Sequence, residues 1–319
     1  MFKTYFWHEQ IWQSLMQARK KLPHSWLFMG SAGLGKYELA LRLAHFLLCD
    51  HAQQDACGQC TACQLLAHNN HPDLYCLGVE EGMIKIESIR ELVMELNYTP
   101  NQGKKRIAII NHAHLLNLSA ANALLKTLEE PAESALLILL SDKPSFLPAT
   151  IRSRCQKIIF SPPAADLARA WLRENLDEKV DADLLLSLAE NAPLKALAWA
   201  AHLPARAQLL QDLLAWSYGT ITFTQFITNC RTYSWDFIVV NLFSLIVDLL
   251  KLHQGASLLI NQDQRDFLLC FKIAPARLLA YSERLLELSK FMNENINLNQ
   301  QLLLENVWLS WEEMVRSEC

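Results

Sequence analysis

Apolar positions in the first half of the chain follow two alternating patterns. Short apolar runs predict buried strands at 26–29, 73–77, 107–110, 136–140 and 158–160. Between them, apolar residues recur at helical spacing over 38–48 and 86–96, and again after Ser119, which we expect to cap the next helix. Because apolar strands that alternate with helices are typical of a parallel sheet covered on both faces, we predict an α/β domain here.

The pattern changes at Ser161-Pro162-Pro163, after which no strand of the same quality follows. Helical spacing instead predicts helices over 164–175, 182–189, 194–202, 205–218, 223–231, 235–252, 263–271, 275–293 and 299–315. We therefore expect three domains: an α/β domain at 1–161, a small helical domain at 162–204 and a larger all-α domain at 205–319.

A glycine-rich loop joins the first strand to the first helix. Gly30, Gly33, Gly35 and Lys36 have the spacing of a phosphate-binding loop, whose backbone N–H groups surround phosphate while the lysine reaches the β- and γ-phosphates. The next residue is Tyr37, where the motif requires Ser or Thr to bind the nucleotide's Mg²⁺. The loop therefore predicts a phosphate-binding fold that lacks one metal ligand.

In a protein that hydrolyses ATP with such a loop, the strand corresponding to 107–110 is followed by carboxylates that hold the metal and orient the attacking water. It runs instead into Asn111-His112-Ala113-His114. A histidine base is conceivable there, although polar residues at a strand end with no metal to serve are the simpler interpretation. We expect no hydrolysis by this chain. Nucleotide binding stays open, against the alternative of a vestigial loop kept for packing.

Four cysteines lie close together in the sequence: Cys49, Cys57, Cys60 and Cys63. Two consecutive C-x2-C steps form a tight turn, and Cys49 can fold back to complete a tetrahedral Zn²⁺ site. For the fourth ligand, His51, His68 and His71 are alternatives. The competing interpretation is a set of reduced surface thiols. Since four protein ligands close the coordination shell, the zinc should be structural.

Arg154 lies in Ser153-Arg154-Cys155, after the fourth strand and a proline-containing loop. An arginine at the rim of such a sheet can act as an arginine finger. It has no use in a chain that does not hydrolyse, but it can reach a neighbour's γ-phosphate in trans. On chemistry alone Arg152 is an equally good candidate, and an ordinary surface arginine is the plain alternative.

Composition narrows the class of protein. The chain has 319 residues, 51% of them hydrophobic, and a net charge of -4, so it can bury real cores and has no global basic field for nucleic acid. The first ten residues do not resemble a signal peptide, and the longest apolar stretch, 237–250, is interrupted by polar residues. We expect a soluble, cytoplasmic protein.

The order of these segments resembles bacterial clamp-loader subunits, which belong to the AAA+ ATPase superfamily. The resemblance is carried by the loop at 30–36, the four cysteines, Leu-Leu-Lys-Thr-Leu-Glu-Glu-Pro at 124–131 and Ile-Arg-Ser-Arg-Cys at 151–155. It extends over the full length, because the helical remainder fits the family's lid and collar domains. Tyr37 and the missing carboxylates match the family's degenerate type rather than its gamma/tau ATPases.

The resemblance implies roles for particular residues. Cys49, Cys57, Cys60 and Cys63 would be zinc ligands, and Arg154 would be the finger offered to an adjacent ATPase. Leu194 falls where the family's ATPases carry a lid arginine that senses the γ-phosphate.

The function implied is that of a non-hydrolysing stator in a hetero-oligomeric ring with gamma/tau and delta subunits. This ring loads the sliding clamp onto primed DNA. The alternatives are an active gamma/tau-like or other P-loop ATPase and, in another class, a DNA-binding zinc protein. The acidic balance of charge argues against the last.

Overall fold

The computed structural model describes residues 4–19, 22–78, 83–102, 105–294 and 300–316. They form two compact units. The first comprises Met1–Ala165 with Ala192–Lys195, and the second comprises Asp166–Asn191 with Ala196–Cys319. The further division of the helical part at residue 204 stays a prediction.

The first unit is built on a five-stranded sheet. Its strands are β1 (Ser25–Met29), β2 (Leu74–Leu77), β3 (Arg106–Ile110), β4 (Ala135–Ser141) and β5 (Gln156–Ile159). Their order is β2-β3-β4-β1-β5 and every pairing is parallel. The predicted parallel α/β sheet is thus confirmed. Because β3 and β4 are central, every one of their residues is buried. The prediction that the last strand is buried was wrong, because β5 lies at the edge of the sheet and is largely exposed.

The α-helices found among the described residues of this unit are α1 (Glu9–Ala18), α2 (Lys36–Leu48), α3 (Thr61–Ala67), α4 (Ile86–Asn97), α5 (Leu118–Glu129) and α6 (Ala149–Arg154). They enclose an apolar core on each face of the sheet. Along β3, Ile107 and Ile109 enter the core shared with α2, while Ala108 and Ile110 enter the core shared with α4 and α5. Alternate residues of a strand point to opposite faces, so one apolar strand serves both cores.

The prediction that Ser119 caps α5 was wrong. Asn117 is the N-cap, and its side-chain oxygen accepts a hydrogen bond of 2.8 Å from the backbone N–H of Ala120. Ser119 lies in the first turn of the helix. Asn and Ser are about equally good N-caps, so the sequence offered two candidates two residues apart.

Among its described residues the second unit contains helices joined by turns and loops, and no strand. Its helices, with α7 and α9 beginning in residues assigned to the first unit, are α7 (Ala165–Glu174), α8 (Ala182–Leu188), α9 (Pro193–Trp199), α10 (Leu203–Ser217), α11 (Phe223–Cys230), α12 (Trp235–His253), α13 (Arg265–Leu269), α14 (Pro275–Glu294) and α15 (Gln300–Arg316). One apolar core joins them, with Phe226, Trp308 and Trp311 among its largest buried side chains. Among the described residues, no helix combines the length and apolar character needed to span a bilayer.

Candidate nucleotide, metal and arginine sites

The glycine-rich loop connects β1 to α2 and is shaped by residues in the left-handed region. Gly33 has φ 78° and Gly35, which caps α2, has φ 77°. A Cβ on Gly33 would lie 2.3 Å from the backbone nitrogen of Lys195, and one on Gly35 would lie 2.7 Å from Cε1 of His8. Both positions therefore require glycine, for backbone conformation and for the close approach of other segments.

Lys36 is buried, and its ammonium group is occupied by the protein itself. Nζ donates to the carbonyl oxygens of Gly30 and Ser31, each at 2.7 Å, and pairs with Oδ1 of Asp142 at 2.6 Å. An ammonium group has three hydrogens to donate, so these three acceptors satisfy it. The lysine expected to meet phosphate is instead tied to its own loop and to the residue that follows β4.

Two other segments of the first unit close over the loop. The side chains of Trp7 and His8 contact the carbonyl oxygen of Leu34 at 3.0 and 2.7 Å, and the backbone N–H of Leu194 donates to Gly33 at 3.1 Å. Since a carbonyl only accepts, Nε2 of His8 carries the proton. Burial lowers the pKa of His8, which favours this neutral form at pH 7. The loop carbonyls are therefore held by the chain itself.

Tyr37 does not substitute for the missing hydroxyl ligand. Its ring is partly buried against the apolar core that α2 shares with β1 and β3. Burial and the neighbouring Cys76 thiol raise the pKa of Tyr37 well above its ordinary value, so the phenol stays protonated. The ring of Tyr37 packs against the side chains of this core.

Beyond β3, the two histidines lie beside Asp142. His112 has a left-handed backbone (φ 49°), and its Nδ1 is 3.4 Å from Oδ2 of Asp142. His114 directs Nδ1 toward Oγ of Ser141 at 3.5 Å. Burial lowers the pKa of His114 to about 4, which leaves it neutral at pH 7. Asp142 was missed by sequence reasoning; the available signal was an acidic residue directly after a buried strand.

The structure brings the four predicted cysteines together. The sulphur atoms of Cys49 and Cys60 are 3.9 Å apart, as are those of Cys57 and Cys63, and all four lie within 4.8 Å of one another. A tetrahedral zinc with Zn–S bonds of about 2.3 Å would separate its ligands by about 3.8 Å. Disulfide sulphurs lie about 2 Å apart, so the arrangement suits a metal and no disulfide.

Backbone N–H groups surround these sulphurs. Those of Cys57, Cys60 and Cys63 donate to the sulphurs of Cys49, Cys57 and Cys60, at 3.2, 3.4 and 3.4 Å. Backbone hydrogen bonds, from Gln59 first and then Cys60, lower the pKa of the Cys57 thiol to about 6. Burial instead raises the pKa of Cys49, and it raises that of Cys63 to about 12. Cys57 is therefore the cysteine already shifted toward the thiolate, the form that binds metal, and a bound ion would have to displace the protons of Cys49 and Cys63.

The histidines considered for the fourth position lie elsewhere. His51 and His68 are exposed, and Nδ1 of His71 accepts a hydrogen bond of 3.1 Å from the backbone of Asp73. Among the described residues, the four cysteines form a group close enough to share one ion, and none of these three histidines belongs to it. Cys49, which directly follows α2, is therefore the residue that completes the arrangement.

Arg154 ends helix α6 and is exposed. Its Nη2 pairs with Oε1 of Glu129 at 2.5 Å, and Nη1 donates to the carbonyl of Thr150 at 3.0 Å. Arg152 differs, because it is partly buried and its Nε has no hydrogen-bond partner among the described residues. Of the two arginines, Arg154 presents more of its side chain to the surroundings.

Comparisons with known proteins cover both halves of the chain. Residues 7–164 match the family described as DNA polymerase III, delta subunit, and residues 200–313 match the C-terminal part described for that subunit. DNA polymerase III subunit delta' of Pseudomonas aeruginosa is 33% identical over 98% of this chain and 99% of its own length. The Escherichia coli subunit of the same name is 31% identical over 92% of this chain and 90% of its own. DNA polymerase III subunit tau of Bacillus subtilis is 34% identical over 50% of this chain and 29% of its own.

Proposed function

The chain belongs to the DNA polymerase III delta' family of clamp-loader subunits, and we propose that within it this protein is a stator that does not hydrolyse ATP. The observation that carries the proposal is the state of Lys36. Its ammonium group is satisfied by two loop carbonyls and by Asp142, so a nucleotide would have to displace protein contacts to use it. We therefore do not assign ATP to this loop.

Hydrolysis needs more than phosphate binding. Tyr37 supplies no ligand to Mg²⁺, and Asn111 and His112 stand where carboxylates would hold the metal and orient water. Leu194, on the segment that contacts Gly33, carries no charge to sense a γ-phosphate. Each of these features removes a separate part of the reaction, and together they support a chain with no turnover of its own.

In this proposal Arg154 acts on a neighbouring gamma/tau ATPase. Its guanidinium is exposed at the end of α6 and is oriented by the carboxylate of Glu129, itself exposed at the end of α5. A surface ion pair of this kind is weak, so Arg154 can exchange Glu129 for a phosphate. An arginine supplied in trans stabilises charge that develops on the transferred phosphoryl group.

The remaining parts of the proposal concern assembly. We assign a structural Zn²⁺ to Cys49, Cys57, Cys60 and Cys63, where it would cross-link the end of α2 to α3 and supply no chemistry. The helices at 205–319 would form the collar that joins gamma/tau and delta subunits into a ring. That ring would place the sliding clamp on primed DNA in the cytoplasm.

The test is ATP hydrolysis by a reconstituted loader with clamp and primed DNA. Arg154→Ala should lower turnover while assembly, followed by size exclusion, is unchanged. Arg173→Ala is the matched control, because this arginine is exposed on α7 and only loosely paired with Asp183 at 3.8 Å. Arg152→Ala tests the competing arginine. Unchanged turnover with Arg154→Ala would leave this chain a scaffold, and a loss with Arg152→Ala alone would reassign the finger.

A further inference from the structure

A second group of metal-ligating side chains lies outside the cysteine cluster. It consists of His112, His114 and Asp142, and one donor atom from each lies within 4.8 Å of the others. The two histidines follow β3 and the aspartate follows β4, so the group spans the carboxyl ends of two neighbouring strands. All three side chains are half-buried, which leaves them accessible to an ion from solution.

One donor separation matches that expected around a small cation, and the donor atoms all lie within 4.8 Å of one another. Zinc bonds to nitrogen and carboxylate oxygen are about 2.0–2.2 Å long, so tetrahedral ligand atoms lie about 3.3–3.5 Å apart. Nδ1 of His112 and Oδ2 of Asp142 are 3.4 Å apart. The rings of His112 and His114 have centroids 5.8 Å apart and are nearly perpendicular, at 86°. Two imidazoles in that relation can direct nitrogen atoms toward one point beside the carboxylate.

We propose that His112, His114 and Asp142 bind a divalent transition-metal ion such as Zn²⁺, separate from the ion expected at the cysteine cluster. Two imidazoles and one carboxylate favour zinc over magnesium, which prefers oxygen ligands and retains its water. Three protein ligands leave one tetrahedral position for water. The proposal stands without the stator function, because it rests on side chains at the ends of β3 and β4.

Neighbouring charges influence the affinity of these three side chains for a divalent ion. Lys36 occupies Oδ1 of Asp142 at 2.6 Å, which leaves Oδ2 for the ion. Lys36 and Lys143 are the cations that act on His114, and Asp142 is the anion that opposes them. Because an ammonium group beside a divalent ion is repulsive, Lys36 should weaken this site relative to the cysteine cluster. Replacing Lys36 with methionine should tighten binding of the second ion by roughly tenfold.

The experiment titrates the metal-depleted full-length protein with Co²⁺ and follows its absorption. Thiolate-to-cobalt charge-transfer bands report the cysteine cluster, and they should saturate at the first equivalent. The visible ligand-field bands should keep rising up to a second equivalent, because every bound cobalt ion contributes to them. A second ion held by nitrogen and oxygen ligands adds nothing to the thiolate bands. Displacement with Zn²⁺ and equilibrium dialysis then give the zinc stoichiometry. The variants are His112→Ala/His114→Ala and the conservative Asp142→Asn.

The matched control is His51→Ala/His68→Ala, which removes two exposed histidines close to the cysteines. We expect two equivalents in the wild type and in this control, and one in His112→Ala/His114→Ala, with the thiolate bands unchanged throughout. Asp142→Asn should weaken the second equivalent, and Lys36→Met should strengthen it. A single equivalent in the wild type would overturn the proposal, as would a second equivalent that survives the loss of both His112 and His114.

Discussion

The cysteine cluster and the glycine-rich loop lie at opposite ends of α2 and are built in different ways. The cluster takes four donors of one kind from a short stretch of chain, residues 49–63, and no other segment that the structure describes contributes to it. The loop is completed by distant residues: Asp142 after β4, His8 near the start of the chain, and Leu194 in α9. A local site is visible in a sequence as spacing, whereas the state of an assembled site depends on which strand ends become neighbours.

The largest effect is expected when one ligand of the cysteine cluster is removed. Cys60→Ser should destabilise the first unit by about 3 kcal/mol, because the metal-bound form loses a thiolate ligand while the serine hydroxyl can still cap α3. For a domain of this size that corresponds to a fall in melting temperature of roughly 6–12 °C. Calorimetry measures it. Cys270→Ser, at an exposed cysteine outside the cluster, should leave the melting temperature unchanged, and an equal loss in both variants would contradict the assignment.

A second test uses α2 itself. Burial lowers the pKa of His45 to about 4, below the value near 6.5 expected in the unfolded chain. The unfolded state therefore binds more protons between these values, so stability is fully present above about pH 6.5 and is lost as the pH falls toward 4. His45 should account for up to about 3 kcal/mol of that loss.

The measurement is urea unfolding of wild type and His45→Gln between pH 7 and 4.5. The difference between the two proteins should shrink as the pH falls, because acid removes the contribution of His45 from the wild type alone. Thiolate protonation at the cysteine cluster affects both proteins and cancels in this difference. His51→Gln, at an exposed position, should follow the wild type at every pH. A difference independent of pH would show that His45 is protonated equally in both states.

A third test asks whether the loop depends on its distant aspartate. Asp142→Asn should cost about 2 kcal/mol, because buried Lys36 keeps two carbonyl acceptors but loses its counter-charge. The double variant Lys36→Met/Asp142→Asn should be more stable than the sum of the single changes predicts. Chemical denaturation of the four proteins completes the cycle. Additive effects would mean that the two residues act independently. The stability of the glycine-rich loop would then not depend on the distant aspartate.

The smallest effect is expected at the surface. Glu129→Gln should change the free energy of unfolding by less than about 0.5 kcal/mol, because Glu129 and Arg154 are both exposed and such pairs are weak. In the reconstituted loader the same variant should retain most of the turnover, since Thr150 still accepts a hydrogen bond from Arg154. A turnover as low as that of Arg154→Ala would instead make Glu129 essential for orienting the arginine.

Periodicity was sufficient for the elements that form the cores. Strands β1 to β4 and the long helices follow from apolar spacing, because burial on a sheet or a helix face requires it. For β5 the apolar residues gave the position of the strand but the wrong burial, because this edge strand is largely exposed. Helix α1 was missed although Ile11, Trp12 and Leu15 have helical spacing. Helices α3 and α6 are short, with seven and six residues, and too few positions define a period in either.

The candidate sites also differ in whether sequence spacing alone could predict them. The cysteines could be selected from spacing alone, and the structure places their sulphurs together. The partner of Lys36 could not, because Asp142 reaches it only when β4 pairs with β1, whose end leads into the loop. The positions of His112 and His114 beside that aspartate follow from the pairing of β3 with β4. Chemistry that depends on strand order is hidden until the topology is known.

The internal pairing of Lys36 also bears on the evolutionary history open to this chain. Tyr37→Thr would restore a hydroxyl but leave Lys36 bound to Asp142, and a carboxylate at position 111 or 112 would face a loop still closed by His8 and Leu194. In the proposed stator, no single substitution would therefore rebuild a hydrolytic centre. Several changes in separate segments would have to be made together, and none of them alone would bring back turnover.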